Sequence, residues 1–228
     1  CDGSNINPVA LNILNIKLDD GSYFFPSSGT SGYRQTSFSS PAIYNSNQEL
    51  GNFDYVQSTK NTISGRVFYT KDPQMSPLRG QLPGSRLNIL FSNTYAVLKA
   101  TSILTNSLVN EGRVSYQRNL STQNAPAPPN SDNSILGITP MSPGVTKPPQ
   151  ITFISGGYSI LGGGGPTYSA TNQYQLADQI SWSHGKHTLR AGVELERNDW
   201  PILWSGVRGG LSVGTFNDLL VGGPGNPL

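Results

Sequence analysis

Residues 173–199 narrow the possible architectures most, because apolar and polar side chains alternate with a period of two on both sides of a turn only a few residues long. On the return limb Leu189, Ala191, Val193 and Leu195 share one side while Arg190, Glu194 and Glu196 share the other. That is the pattern of a strand with one oily and one wet face. The outgoing limb groups Tyr174, Leu176, Ile180 and Trp182 opposite Gln175, Gln179, Ser181 and Ser183, with Asp178 interrupting the oily series. Between the limbs, His184-Gly185-Lys186-His187 supplies the turn, and Gly185 is able to take the positive φ of a tight hairpin.

Composition restricts which β protein this can be. Hydrophobic residues make up 35% and charged residues only 12%, with 26 Gly, 17 Pro and 10 Tyr, and that charge is about half of what a soluble domain carries. Such a chain suits a barrel wall or an extracellular β domain and argues against a helical enzyme. No apolar run approaches the roughly twenty residues of a membrane-spanning helix, but barrel strands cross with about 9–11 alternating residues each. The net charge of +2, without a run of Lys and Arg, sets aside nucleic acid as a partner. Cys1 is the sole cysteine, which leaves no internal disulfide and no Cys-rich zinc site. It is either a cut end or the lipid-bearing residue of a processed lipoprotein. With no initiating Met and no signal peptide, the chain reads as an excised piece.

Two regions follow from a pass along the chain. Residues 1–50 read as a short helix and a loop: Asn7 is the N-cap and Pro8 the first helical position, and residues 17–48 are rich in Ser, Gly, Tyr and Asn. Residues 51–228 read as a partial β-barrel, with hairpins near 51–72, 94–120 and 172–199 and long loops at 73–93, 122–170 and 200–228. In the strand over 94–105 the oily face stays undecided between Leu98/Leu104 and Val97/Ile103. Residues 122–170 hold eight of the 17 prolines and the run Gly162–Gly165, so little regular structure is expected there. Short turns alternating with long connections are the habit of transmembrane barrels, which turn tightly on the periplasmic side and loop outside the cell. Tyr55, Tyr69, Tyr95, Tyr116, Tyr174 and Trp182 lie within or near the ends of these strands, suited to a bilayer interface. The fold class expected is therefore all-β: antiparallel up-and-down strands of a transmembrane β-barrel, about six of them, with long extracellular loops and a short N-terminal helix. A secreted or lipid-anchored β-sandwich binding module, possibly carbohydrate-directed, is the alternative.

The words of the sequence also resemble a family. Asp178-Gln179-Ile180-Ser181-Trp182-Ser183-His184-Gly185-Lys186-His187-Thr188-Leu189-Arg190-Ala191-Gly192-Val193-Glu194 resembles a recurring hairpin of Oar-like TonB-dependent outer-membrane receptors. Asn5 to Leu14 looks like that family's short helical segment. Phe53-Asp54-Tyr55, Thr59-Lys60-Asn61 and Ser64 to Tyr69 look like its next hairpin. Leu108-Val109-Asn110-Glu111-Gly112-Arg113-Val114-Ser115-Tyr116 is similar to its "NEfR-x-x-Y" strand, with Gly112 where a bulky apolar residue is usual, and Phe216 to Gly222 is similar to its "F-x-D-f-L-l-G" words. The resemblance implies a large barrel with an N-terminal plug that imports a bound nutrient with energy delivered through TonB. The partners it implies are outer-membrane lipid, the missing plug and remaining barrel strands, TonB through the missing N-terminal part, and a nutrient not identified.

No catalytic, cofactor-binding or metal-binding residue is expected. His184 and His187 sit three apart in one turn without further ligands, short of the three or four a metal site uses, and read as a polar periplasmic turn. The glycine run lacks the Lys-Ser/Thr ending and the following helix of a phosphate loop, and no Gly-x-Ser-x-Gly elbow occurs. Ligand contact is expected in the extracellular loops, where Tyr158, Trp200 and Trp204 are placed to stack on a sugar or another flat ligand or to anchor at the interface.

Overall fold

The computed structural model describes residues 3–26, 39–77, 82, 84–140, 142–162, 165–204 and 209–223. Cys1, Gly163, Gly164, most of the stretch 27–40 and residues 224–228 lie outside the described residues, as does the side chain of Trp204.

Strands β1 (Ile43–Tyr44), β2 (Asn47–Val56), β3 (Asn61–Ser76), β4 (Leu87–Thr105) and β5 (Leu108–Asn124) follow helix α1 (Pro8–Leu14). Helix α2 (Asn133–Leu136) and strands β6 (Gln150–Phe153) and β7 (Tyr158–Leu161) come next, then β8 (Thr167–His184), β9 (His187–Asp199), β10 (Ile202–Trp204), β11 (Gly210–Val213) and helix α3 (Phe216–Val221). In the large sheet β3, β4, β5 and β8 lie side by side, with β1 and β2 along the outer edge of β3 and β9 and β10 along that of β8. All of these pairings are antiparallel. Eight named strands thus make six courses of an up-and-down wall, which is open at both edges among the described residues.

Each short turn has a local cause. At Gly185 (φ +57°) the positive φ falls on the first of the two central residues between the paired His184 and His187, the type II′ pattern that follows strand twist. The Ser58 hydroxyl accepts the amides of Lys60 at 3.2 Å and Asn61 at 3.1 Å. In the third turn Asn106 and Ser107 join the paired Thr105 and Leu108, just after a bulge between Ile103 and Thr105. These turns share one end of the sheet; the strand ends at Ser76, Leu87, Asn124, Thr167 and Asp199 share the other.

Register fixes the two faces. One row across the sheet reads Phe53, Gly65, Leu98, Val114, Leu176, Leu195, and the next, one residue along each strand, reads Asp54, Ser64, Lys99, Arg113, Ala177, Glu194. Adjacent rows point to opposite sides, so an oily row alternates with a charged one. Lys99 on the wet row decides the face of β4: Ala96, Leu98 and Ala100 turn to the oily side, Val97 and Ile103 to the wet side. Tyr95 pairs with Phe68 and Gln117 on the wet side, so it belongs to the interior face and not to an interfacial girdle.

Several strands run further than the sequence suggests. The stretch 73–93 is mostly strand, because Pro73 is accommodated inside β3: its carbonyl accepts from Asn45 N at 3.1 Å, so its nitrogen faces the edge where β1 gives way to β2 and no ladder donor is missed. The stretch 17–48, read as loop, contributes β1, the start of β2 and a bridge between Lys17 and Tyr23.

The largest correction concerns 122–170 and 200–228. These stretches carry α2, β6, β7, β10, β11 and α3, and together with α1 they enclose the apolar core of the described chain: Ala10, Ile13, Ile16, Phe24, Leu136, Ile151, Phe153, Ile160, Leu161, Val213 and Leu219. Parallel pairing of β11 with β6 joins segments about sixty residues apart, which local periodicity does not reveal. The N-terminal helix is therefore no separate lead-in: Asn7 N donates to Leu220 O at 2.7 Å, docking α1 on the end of α3. This packed unit stands at the loop end of the wall.

Candidate functional site

The wet face is built from side chains that satisfy one another across strands. Lys99 Nζ lies 3.5 Å from Glu111 Oε2 and Arg113 Nη2 lies 3.8 Å from Glu194 Oε2. The second pair spans two strand spacings, and it can do so because the residue between them is Ala177. Gln175 Nε2 donates to Glu194, and Gln175 Oε1 accepts the Ser115 hydroxyl at 3.0 Å. Between Arg113 and Glu194, over Ala177 and Gly192, a polar groove remains open. Arg66 Nε donates to Asn52 at 2.8 Å near the edge. These ion pairs are solvent-exposed and contribute at most about 1 kcal/mol each; what they do is keep the face hydrated and charged. Toward the loop end Asp72 accepts the Thr70 hydroxyl at 2.9 Å, while its buried Oδ1 has no hydrogen-bond partner among the described residues.

Across the sheet, the oily face lacks any protein cover among the described residues. Leu189, Val193 and Leu195 are 61–62% exposed, and Phe53, Leu98, Val114 and Leu176 are likewise uncovered. A β-sandwich would close a second sheet over this face, but the small β11–β6–β7 sheet spends its apolar residues on the loop-end core instead. Aromatic side chains bound the oily band: Trp182 stacks on His184 at 5.5 Å near the short turns, and Tyr116 meets Tyr174 at 5.2 Å towards the loops. Asp178, the break in the oily series, does stand on this face; it accepts Asn110 Nδ2 at 2.7 Å and faces Gly112 on the neighbouring strand. A Cβ at 112 would meet the Asp178 carboxylate at 3.8 Å, an ordinary van der Waals contact.

The three residues singled out in the loops do not converge. Tyr158 lies in β7, stacked on Phe153 at 4.6 Å against the core, and burial pushes its phenol pKa up. Trp200 is 69% exposed and donates to Ser169 Oγ at 3.1 Å. Trp204 pairs through its backbone with Thr167 at the edge of β8, so Trp200 precedes β10 and Trp204 ends it, while Tyr158 belongs to the other sheet. His184 and His187 face each other across the tight turn. Among the described residues no group of three His, Cys, Asp or Glu side chains is close enough to hold a metal ion.

One cluster was missed from sequence. Arg118 donates to Asn172 Oδ1 at 2.7 Å and to Tyr168 Oη at 2.6 Å, and Tyr116 Oη donates to the same Asn172 oxygen at 3.0 Å. Arg118 continues the oily-face series Val114, Tyr116, and that alternation was the available signal.

The search of curated proteins returns no match. A family model for the outer membrane beta barrel domain matches residues 1–224. A wall with an uncovered oily face, a charged opposite face and all short turns at one end is what this match requires of the chain; the protein belongs to the outer membrane β-barrel domain family and resides in the bacterial outer membrane.

Proposed function

We propose that the chain is a wall section of an Oar-like TonB-dependent receptor, a non-catalytic transporter that takes up a nutrient through its barrel. The observation that carries this reading is the coincidence of the family-like words with residues whose roles the fold explains. In the first word, Asn7 caps α1 through Val9 N at 2.9 Å and Ala10 and Ile13 enter the core. In the last, Thr215 and Asp218 form a capping box, Phe216 packs at the core, Leu219 is buried and Gly222 takes φ +69° to end α3. Between them the words of residues 53–69, 108–116 and 178–194 form the wall strands.

A charged inner face suits this role, because small barrels fill their interiors with side chains whereas wide ones hold water or a plug. In this reading the wall is surrounded by outer-membrane lipid, the plug and the remaining strands complete the barrel, and TonB engages outside this segment. The test is binding of a purified periplasmic TonB domain to the full-length protein in nanodiscs, with heat-modifiable gel mobility confirming the folded barrel. Saturable binding is expected. A folded barrel that does not bind TonB overturns the proposal.

A further inference from the structure

Just below the Arg118 cluster, the oily face carries an apolar groove of about 370 Å³. Phe53, Leu98, Val114 and Tyr116 bound it, and Gly65 and Ala96 form its floor. A smooth wall solvated by fluid lipid has no need of such a recess. Ala96 leaves room between Leu98, Val114 and Tyr116, the Phe53 ring lies over Gly65, and this apolar lining suits a hydrocarbon chain.

Directly above, Arg118 donates to two neutral groups, the Asn172 amide oxygen and the Tyr168 hydroxyl, with the Tyr116 hydroxyl as a third neutral neighbour. A guanidinium has five N–H donors, so the fork is fixed in place with donors left over, and it forms no salt bridge among the described residues. Lys71 lies on the same face, two strands across on β3 and two residues further toward the loops, roughly 12 Å away at the usual spacings. The two acids of this rim share Arg118's row: Asp199 stands two strands away across Asn172 and is engaged by Arg197 Nε at 3.1 Å, and Glu49 lies three strands away on β2, so Arg118, Lys71 and Arg197 outnumber them by one.

We infer that this groove and Arg118 form one binding site for a phosphorylated acyl lipid of the outer leaflet, with a chain in the groove and the phosphate on the Arg118 fork. The levels agree. Tyr116 marks the top of the oily band, Arg118 follows two residues further toward the loops, and anionic headgroups lie at that height on the extracellular side. Arginine is suited to the task because its planar fork matches phosphate oxygens bidentately. The site rests on the outer-membrane placement of the wall and not on the TonB reading.

The experiment is a lipid titration of the full-length protein by native mass spectrometry, using diphosphorylated lipid A, its dephosphorylated form, and inorganic phosphate as competitor. Wild-type protein is expected to retain the phosphorylated lipid about tenfold better than the dephosphorylated one, a difference of one charge-assisted contact. Arg118→Gln removes that preference, Arg118→Lys keeps part of it, and Ala96→Phe, which fills the groove, lowers retention of both lipids. Arg190→Gln, on the wet face, changes neither. Gel mobility verifies folding, and the Lys variant serves if the Gln variant does not fold. Equal retention of the two lipids by wild type, a preference that survives at Arg118→Gln, or displacement of the lipid by phosphate alone overturns the inference.

Discussion

Arginine placed on each face of β9 separates the two sides of the wall most sharply. Trp182 and Tyr174 bound the oily band on β8 and lie eight residues apart, about 27 Å along a strand at 3.4 Å per residue. A strand tilt of about 40° reduces this to about 20 Å along the membrane normal, close to the ~25 Å apolar band of outer-membrane barrels. Leu195 pairs with Leu176, two residues inside the upper girdle, so it lies about 5 Å from the midplane by the same geometry. It is 62% exposed and gives up little protein packing on substitution. Leu195→Arg should therefore destabilise the folded protein by about 2 kcal/mol, between the ~2–4 of the midplane and the ~0–1 of the interface. Glu196→Arg, one residue on, turns to the wet side and loses a hydrogen bond from Asn198 at 2.6 Å; it should change stability by less than about 0.5 kcal/mol. Val193 is a poorer probe, since an arginine there would stand opposite Asp178. The assay is urea unfolding of the full-length protein in lipid vesicles, with the midpoint converted through the slope. Equal costs at 195 and 196, or the reverse order, would refute the assignment of faces.

Three further outcomes follow from the same geometry. Asp178→Leu should stabilise the vesicle-embedded protein by about 1 kcal/mol, because it removes a carboxylate from the middle of the band at the loss of one hydrogen bond to Asn110; vesicle unfolding reads this, and a destabilisation would mean that the Asp178–Asn110 contact outweighs its exposure to lipid. Leu136→Ala should cost about 2–5 kcal/mol of local stability in the loop-end unit, as Leu136 is fully buried, and hydrogen exchange should quicken in 125–166 without change in β8 and β9; equal loss in those strands would show one cooperative unit. Burial raises the Tyr158 pKa above the ordinary 10.0, so its neutral form favours folding. That contribution is fully present below pH 10 and is lost as pH rises through the folded pKa, a slope that Tyr158→Phe should abolish in alkaline melts of the full-length protein and that should be absent between pH 5 and 9.

Legibility in the sequence tracked how local each cause is. The hairpin at 173–199 was readable because its alternation, its glycine and its charges all act within a few residues of one another. Helix α1 was readable for the same reason, through Asn7 and Pro8. The β6–β11 pairing was invisible, since its strands are four residues each and their partners lie far along the chain. Pro73 misled because its tolerance depends on a break in the neighbouring edge strand, a fact about residue 45 and not about residue 73. Of the loop aromatics, Tyr158 follows two glycines and Trp200 precedes a proline, both marks of a loop, yet one packs on Phe153 and the other faces solvent. Arg118 was passed over because a single cation at a strand end carries no signal until register sets it beside Asn172 and Tyr168.

The distribution of buried surface explains why the two halves of the chain read so differently. Of the thirteen buried hydrophobic residues among those described, Ala170 is the one that lies in a wall strand. The wall therefore owes little to contact between its own oily side chains; its cohesion comes from the backbone ladders, and its oily face is stabilised by lipid. Under that regime a strand needs alternation and little else, so its sequence is permissive in detail and regular in pattern. The loop-end unit works in water and has to bury Phe24, Phe153 and Leu136 like any soluble core. Its residues are held by mutual fit, its elements are short, and its pattern is irregular. A proline or glycine count that reads as disorder is there the punctuation of a packed structure, and composition alone does not distinguish the two.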